Sequence, residues 1–536
     1  MLVLLTIGLP LFAASGLLGL HVLRPKFKYI WLVAAITALL TWTLVLVLRL
    51  QIPLTIPLVT WKPIELFPVS PSLQLDDISW SYAFSLVTLL LGVTLTAVAR
   101  IPKSEDLVPN EFSSDWLTWS SSLLLISLGV LATIAGNLIT LLLAWAAIDI
   151  LELSIRIGIT KEGEQYDRIV FAFGARVIGI LLVIWAIAAA RASGYSINLI
   201  SLDPGISVFL ILAAVFRLGV IPIHMPSLKR GVDRRGFGTL LRFAPAISGL
   251  MLLSRTASQA IPTQMTLILL ISAGLVALYG SIFWSMATDE LEGRPYWIIA
   301  VAALTAASAI QSQAAASVAW GVALILSGGI LFLYSSRDRR LIILPILGLL
   351  GISGLPFTAV WPGMSIYTST LPVYLWIVFI ITQALILSAY AVHIIRPANT
   401  MTGVVRFVWV IYPWGLALLP LVQYLIVILN QTLTPSIGSG LPEILATWPS
   451  LVASIFAALI IIWRIRGPHI GLPFSDKIKP LLSFNWIYGI LGQIYRLIGR
   501  TVAFIEMLVE GKGAVLWTIL LLTLLISLLS IIELGE

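Results

Sequence analysis

The chain has no cysteine, and charged residues make up only 10% of its 536 residues. Without cysteine it cannot form a disulfide, a thiolate-bound zinc site or an iron–sulfur cluster of its own. Histidine is scarce as well: the four histidines, His21, His224, His393 and His469, match no metal-ligand spacing, which also argues against haem. We therefore expect this chain to hold neither a metal ion nor a redox cofactor.

Apolar residues dominate instead, at 59% of the chain. This composition is typical of a protein that lies within the bilayer almost throughout. At about 20 residues per spanning helix, the length predicts an all-α polytopic membrane protein with about 16 transmembrane helices. The start at Met1 lacks a basic segment and a cleavage site, which predicts a first spanning helix and not a removable signal. The predicted spans are 3–23, 29–49, 79–99, 115–135, 137–156, 168–190, 206–226, 239–258, 264–287, 296–311, 314–334, 341–361, 372–395, 405–430, 447–463 and 513–533.

The basic residues outside these spans are distributed unequally between the two sides of the membrane. Only Arg49, Lys62, Arg191 and Arg255 fall on one side, and the basic residues of the other loops and span ends, Arg156 among them, fall on the opposite side. By the positive-inside rule the crowded side is cytoplasmic, which predicts that both termini lie outside. The net charge of +8 is then explained by orientation in a membrane, which we expect to be a prokaryotic cytoplasmic membrane, and not by nucleic acid.

The span 206–226 contains an arginine, a helix break and a histidine. Arg217 lies near its middle, and Gly219 and Pro222 are expected to break the helix before His224. A charge at bilayer depth costs about 2.5–3.5 kcal/mol, so it needs a partner or a wet cavity. A broken helix frees carbonyls that only protein or water can satisfy. The pattern indicates an ion pathway; the alternative is a kinked helix whose arginine ties two helices together.

The predicted partners of the intramembrane arginines lie on the fifth span. Asp149 and Glu152 are three residues apart, so they project from one helical face. We expect Arg217 to pair with Asp149, and Arg176, in the sixth span, to pair with Glu152. A purely structural ion pair near the cytoplasmic end is the alternative reading of these acids.

A second break, at Gly354 and Pro356, interrupts span twelve. Two interrupted helices in corresponding places predict an internal repeat, and five helices per unit imply that the repeats are inverted in the membrane. Asp289 to Glu292, before span ten, is expected to be a solvated acidic loop. The predicted regions are residues 1–110 (N-terminal helices), 111–258 (first repeat), 259–400 (second repeat) and 401–536 (C-terminal helices), the last with an amphipathic segment at 464–512. That segment is expected to lie along the membrane interface or to pack on a neighbouring subunit.

Several short motifs, taken in order, resemble the antiporter-like, proton-conducting membrane subunits of respiratory complex I and of related cation/proton antiporter and membrane-bound hydrogenase complexes. The likeness runs from about residue 70 to 365. The motifs are Leu75 to Ser79, Asn137 to Thr140 with Trp145, Arg217 to His224, Leu240 to Arg242 with Arg255, Ala287 to Asp289 with Tyr296, and Gly354 to Pro356.

The chain departs from the family pattern at the positions that the resemblance assigns to the proton relay. Ala146 replaces a glutamate, Arg217 replaces a lysine, and Met364 replaces a lysine or glutamate. Arg242 stands at a usual histidine and Ser248 near a usual lysine. Burial can bring a lysine pKa toward neutrality, whereas an arginine does not release its proton. The relay that the resemblance implies is therefore degenerate.

The resemblance implies a non-catalytic membrane subunit of a complex-I-like NADH/quinone oxidoreductase or related assembly, with electron transfer in partner subunits. In the transport hypothesis, Asp149, Glu152, Arg217 and His224 still support proton or cation movement, along a pathway that also includes Arg176 and Arg242. In the structural hypothesis, the subunit is a non-conducting scaffold of such a complex. A stand-alone secondary transporter is a third option.

Overall fold

The computed structural model describes residues 1–25, 27, 29–58, 69–98, 116–159, 163–220, 235–259, 263–335, 338–367, 371–396, 406–430, 433 and 447–466, with scattered residues between 493 and 523. The chain divides into two compact units, Met1–Ile465 and Arg466–Glu536. In the second unit the described residues, such as Arg496 and Arg500, are helical. Most of the predicted amphipathic segment 464–512 and of the last predicted span lies outside the described residues.

The first unit is built almost entirely of helices, as predicted. They are α1 Leu2–Leu23, α2 Ile30–Leu48, α3 Asp77–Thr96, α4 Trp116–Thr133, α5 Leu138–Ile159, α6 Gly163–Ala192, α7 Pro204–Leu218, α8 Arg235–Thr256, α9 Thr263–Met286, α10 Glu290–Ile310, α11 Ala314–Leu333, α12 Ile343–Ile352, α13 Val373–Ile395, α14 Arg406–Leu429 and α15 Trp448–Arg466. Within the described residues, 12 helices are long and apolar enough to cross a membrane, and α7, α12 and the stretch Trp448–Arg464 of α15 are shorter apolar helices. The all-α membrane fold is confirmed; the count of sixteen spans and the four-part division stay predictions.

The helices separate into an interior set and a peripheral set. The apolar stretch of α11 is 100% buried, and α3, α8 and α10 are nearly as enclosed, whereas only 28% of that of α1 is buried. Helix α11 contacts α3, α8, α10, α12 and α14 and so forms the centre of the unit. Peripheral helices expose large apolar side chains such as Phe12 and Trp185, as expected for surfaces that face lipid.

The long loop before α3 contains a small sheet that the sequence analysis did not predict. Strands β1 Leu54–Pro57 and β2 Ser72–Leu75 pair antiparallel. The turn between α4 and α5 packs against β2: the Gly136 backbone N–H donates to the Ser72 carbonyl, and an added Cβ would lie 2.7 Å from the Ser72 hydroxyl. Only glycine fits this approach, which ties the α4–α5 turn to the sheet.

The Asp76 carboxylate connects α3 to α8. It caps α3 by accepting from the Ser79 backbone N–H at 3.0 Å, and Arg255, near the end of α8, forms a two-pronged ion pair with it. One carboxylate thus satisfies a helix start and a guanidinium together.

The interpretation of residues 289–292 as a solvated loop was wrong. Asp289 is the N-cap of α10, accepting from the Glu292 backbone N–H at 2.6 Å, so the acids form the first helical turn. Glu290 is buried and pairs with Arg235 of α8 at 2.7 Å. Acids are favoured at a helix N-terminus because unpaired N–H groups and the helix dipole attract negative charge.

Both predicted helix breaks are present. Helix α7 ends at Gly219, whose φ of 73° is left-handed, and the Val220 N–H bonds back to the Val215 carbonyl. Helix α12 ends at Ile352, before Gly354 with a φ of 70°. The chain then turns through Pro356 into a short 3₁₀ helix, Trp361–Ile366. Glycine favours these ends because it adopts positive φ without a Cβ clash. Pro222 and His224 lie outside the described residues.

Candidate functional site

Helix α5 presents two carboxylates and a guanidinium on one face. Asn137 starts the helix by accepting from the Thr140 backbone N–H at 2.9 Å, which sets its first turn. Asp149, Glu152 and Arg156 then follow at spacings of three and four residues, so they lie side by side along the helix. All three are almost completely buried, at 1%, 2% and 2% exposure. Charges this deep require charged partners.

Arg217 of α7 provides the partner of Asp149, as predicted. Its Nη1 lies 3.0 Å from Asp149 Oδ2, and its Nε donates to the Pro245 carbonyl of α8 at 3.1 Å. The guanidinium also lies over the Trp145 ring, 4.4 Å from its centroid. A carboxylate, a carbonyl and an aromatic face therefore hold this arginine where α7 ends.

Arg176 of α6 joins the two acids to each other. Its Nη1 forms a short ion pair with Glu152, the predicted partner, and lies 3.8 Å from Asp149 Oδ1. Arg156 Nε donates to the other Glu152 oxygen at 2.6 Å. Charges therefore alternate in sign along a chain of five side chains. We call this chain the acid–arginine ladder; its members are Arg217, Asp149, Arg176, Glu152 and Arg156.

A partly open cavity of about 70 Å³ adjoins the ladder. Its charged lining residues are Glu152, Arg156, Arg176, Arg217 and Arg242, and the remaining wall is supplied by α6, α7, α8 and α10 through apolar residues such as Ile298. A water needs about 10–15 Å³ of such space and two or more polar partners, so this cavity can hold several waters.

The structure thus brings together five of the six predicted pathway residues. Asp149, Glu152, Arg176 and Arg217 form the ladder, and Arg242 lines the same cavity. His224 lies outside the described residues. Arg156 was missed because it was assigned to the charges at the cytoplasmic end of the span. The Glu152-to-Arg156 spacing of four residues, which favours an ion pair on one helical face, was the available signal.

The break that follows α12 has neutral polar surroundings. Gln383 of α13 donates from Nε2 to the Ser353 carbonyl at 2.7 Å, and its Oε1 accepts from the Tyr367 hydroxyl at 3.3 Å. Met364, where the resemblance implies a lysine or glutamate, is 5% exposed. Helices α11 and α12 and residues 353–367 contain no Asp, Glu, Lys, Arg or His, and α13 contains only His393.

His393 lies at the end of α13 in a fixed tautomer. Its Nδ1 faces Arg396 Nη1 at 3.0 Å, and its Nε2 lies 3.4 Å from the Trp284 carbonyl. A guanidinium only donates, so Nδ1 accepts and Nε2 carries the hydrogen toward the carbonyl.

Among the residues that the structure describes, no cluster of three or more His, Asp or Glu side chains could hold a metal ion.

No family model matches the sequence, and no curated protein matches it. Solved structures do match its fold. A chain of the Mrp complex from Dietzia sp. DQ12-45-1b aligns with a TM-score of 0.71 at 14% identity, over 99% of this chain and 63% of that one. A chain of the membrane-bound sulfane sulfur reductase, an archaeal respiratory membrane complex, aligns with a TM-score of 0.65 at 13% identity. The alignment covers 98% of this chain and 99% of that one. A chain of respiratory complex I from Thermus thermophilus with bound Aureothin aligns with a TM-score of 0.56 at 16% identity. The alignment covers 81% of this chain and 98% of that one.

The chain therefore shares its fold with chains of the Mrp complex, the membrane-bound sulfane sulfur reductase and respiratory complex I. This agrees with the resemblance carried by the sequence motifs. The chain spans 63% of the length of the Mrp chain that it matches. At identities of 13–16% the likeness concerns the fold.

Proposed function

We propose that this chain is an antiporter-like membrane subunit of a complex-I-like or Mrp-like assembly, and that it contributes to proton or cation translocation through a degenerate relay. Its partners in this proposal are other membrane subunits, and any NADH/quinone chemistry belongs to them. One observation carries the proposal: two buried carboxylates, Asp149 and Glu152, lie in an ion-paired ladder where α7 breaks, beside a cavity with room for water.

The relay is degenerate because its described cations are arginines and because the described residues around its second break are uncharged. Arginine keeps its proton, so Arg176 and Arg217 stabilise the carboxylates without passing protons on. Around the second break, Gln383 and Tyr367 form hydrogen bonds without a carboxylate or an amine. We therefore expect transport to end in the α5–α8 region and to require neighbouring subunits for a complete path.

The experiment compares the intact assembly and the isolated subunit in liposomes, with proton flux read by an entrapped pH-sensitive dye. We expect flux from the assembly and none from the subunit alone. Asp149→Asn should lower assembly flux about tenfold or more, within the usual effect of a proton-transfer group. The matched control is Asp338→Asn, because that side chain is a cap outside the helices and asparagine keeps its acceptor oxygen.

The non-conducting scaffold is the second candidate, favoured by the ion pairs that occupy both carboxylates. The variant Asp149→Asn with Arg217→Gln removes one charge of each sign and so keeps the net charge. Unchanged flux in an assembly that carries this pair would establish the scaffold role and refute the transport proposal.

The orientation with both termini outside is part of the proposal and rests on the charge asymmetry of the loops. A tag after Glu536 should react with a membrane-impermeant reagent added from outside. Labelling only after the membrane is opened would refute this orientation.

A further inference from the structure

The irregular loop that follows α12, residues 353–360, lies near the middle of the membrane. Its first residue, Ser353, accepts from Gln383 at 2.7 Å, and Gln383 lies near the middle of the spanning helix α13. At the end of the loop the Val360 N–H returns to the Gly351 carbonyl at 3.0 Å. The loop therefore begins and ends at about one depth, well inside a hydrocarbon layer of about 30 Å.

Part of this loop is exposed on the surface of the chain. Residues 355–358 are partly or largely exposed, and Phe357 is 71% exposed. The backbone N–H and carbonyl of Phe357 form no hydrogen bond with the described residues. Irregular backbone at membrane depth is tolerated only where protein covers it or water reaches it, because lipid tails offer no hydrogen-bond partner. Something other than lipid therefore covers the loop.

The chemistry of the surface favours protein over water as the cover. The large exposed side chains of α12 and the loop are Ile343, Leu350 and Phe357, and all three are apolar. Bound water requires polar partners, which these side chains do not offer. A membrane helix packs against apolar side chains, and a hydroxyl or amide on it can bond to the freed backbone groups. A spanning helix thus meets both requirements of this surface.

The backbone of Phe357 is strained. Its φ of 65° is a left-handed value that bulky residues rarely adopt, because the Cβ approaches the neighbouring backbone too closely. Glycine would adopt this φ freely, yet the chain carries a phenylalanine whose ring contacts Trp361 at one edge of the loop, with 5.1 Å between ring centroids. Such strain persists where a function uses it. A ring that is strained and largely exposed indicates a role outside its own chain.

We propose that Phe357 and the loop 353–360 are the docking site for a spanning helix of a neighbouring membrane subunit. A hydroxyl- or amide-bearing side chain of that helix bonds to the backbone of Phe357, and the helix packs against the Phe357 ring. This inference rests on the proposed function, since it requires an assembly with other membrane subunits, and it names one contact surface of that assembly.

The first test places a benzophenone-bearing phenylalanine analogue at position 357, purifies the intact assembly and irradiates it. We expect a cross-link to one other membrane subunit, identified by mass spectrometry of the product. Adducts with lipid only, with a second copy of this chain or with another part of the same chain overturn the proposal. A chain that purifies without any partner subunit refutes the proposed function itself, whereas an intact assembly without this cross-link refutes only the docking site.

The second test measures how fast the chain dissociates from the purified assembly in detergent. Phe357→Gly removes the ring, and glycine keeps the loop conformation because it adopts positive φ without a clash. Truncating a large side chain at the centre of an interface weakens binding mostly through faster dissociation, so we expect a rate about tenfold higher. The control is Phe12→Ala, at a phenylalanine of the regular helix α1 that is 76% exposed, and it should dissociate as the parent does. Equal rates for Phe357→Gly and the parent, or equal increases in both variants, overturn the proposal.

Discussion

A glycine with positive φ follows both α7 and α12, Gly219 at 73° directly after α7 and Gly354 at 70° two residues after α12, yet the surroundings of the two glycines differ in charge. Near the first break, Arg217 is held by Asp149 and by the ring of Trp145. Near the second, the Ser353 carbonyl is held by the amide of Gln383. Buried polar groups are satisfied in both regions, by ion pairs near the first break and by uncharged hydrogen bonds near the second.

A broken helix and a proton pathway need different kinds of side chain. A broken helix requires partners for its freed backbone groups, and neutral side chains meet that need. A proton relay further requires groups that change charge, which the described residues supply around α7 through Asp149 and Glu152 but not around α12. A Gly/Pro interruption by itself therefore does not indicate a conducting site.

We expect the largest effect from breaking the Arg217–Asp149 ion pair near the first break. Arg217→Gln removes one partner of a buried ion pair, which typically destabilises a protein by about 3–5 kcal/mol. Arg217→Gln combined with Asp149→Asn should be less destabilising than the sum of the two single variants, because neither charge is left without its partner. Denaturation midpoints in detergent measure both quantities. Additive effects of the two substitutions would show that the pair is not coupled.

Placing a charge on the neutral side should have the next largest effect. Gln383→Glu puts a carboxylate beside the Ser353 carbonyl, where the hydrogen bond now comes from the amide. An acid at bilayer depth costs about 2.5–3.5 kcal/mol on insertion scales. The control Gln383→Met loses the same hydrogen bond without adding charge and should be clearly milder. Equal midpoints for the two variants would mean that the second region tolerates charge as well as the first.

The backbone of the second break provides a smaller test. Gly354→Ala should cost about 1–3 kcal/mol, because a left-handed backbone strains residues other than glycine. The new Cβ would also lie 2.4 Å from Met364 Cε and 3.0 Å from Gln383 Nε2. Gly174→Ala, inside α6 with no neighbour within 4 Å, is the control and should stabilise by roughly 0.5–1 kcal/mol. A stabilised Gly354→Ala variant would contradict the strained conformation described for the α12 break.

The aromatic contact of Arg217 gives the smallest effect. A desolvated cation–π contact contributes about 0.5–2 kcal/mol. Replacing Trp145 by leucine should therefore lower the free energy of unfolding more in the parent than in the Arg217→Gln variant. The two losses should differ by about 0.5–2 kcal/mol. Trp320→Leu, at a tryptophan that donates to the Gly363 carbonyl, is the control in both backgrounds and should show no such difference. A vanishing difference at Trp145 would assign its role to packing alone.

The ion pairs were predicted correctly because a charged side chain inside the membrane has few possible partners. Only Asp149 and Glu152 offered carboxylates on one face of a neighbouring span, so pairing followed from the energetic need. Arg156 and Glu290 were misassigned, since each lies at a helix end where sequence does not distinguish a solvated turn from a buried one. In the structure, packing against other helices buries both ends.

Composition, glycine position and the scarcity of charge were sufficient to predict the all-α membrane fold, both helix breaks and the Arg217–Asp149 pair. These are local or forced consequences, because an apolar run spans a bilayer, glycine ends a helix, and a buried charge pairs. The tertiary structure alone decided that Arg156 is buried as a member of the ladder, that Arg242 lines the adjoining cavity, and that Gln383 donates to the Ser353 carbonyl. Such contacts join residues distant in sequence, and no local pattern records which helices pack side by side.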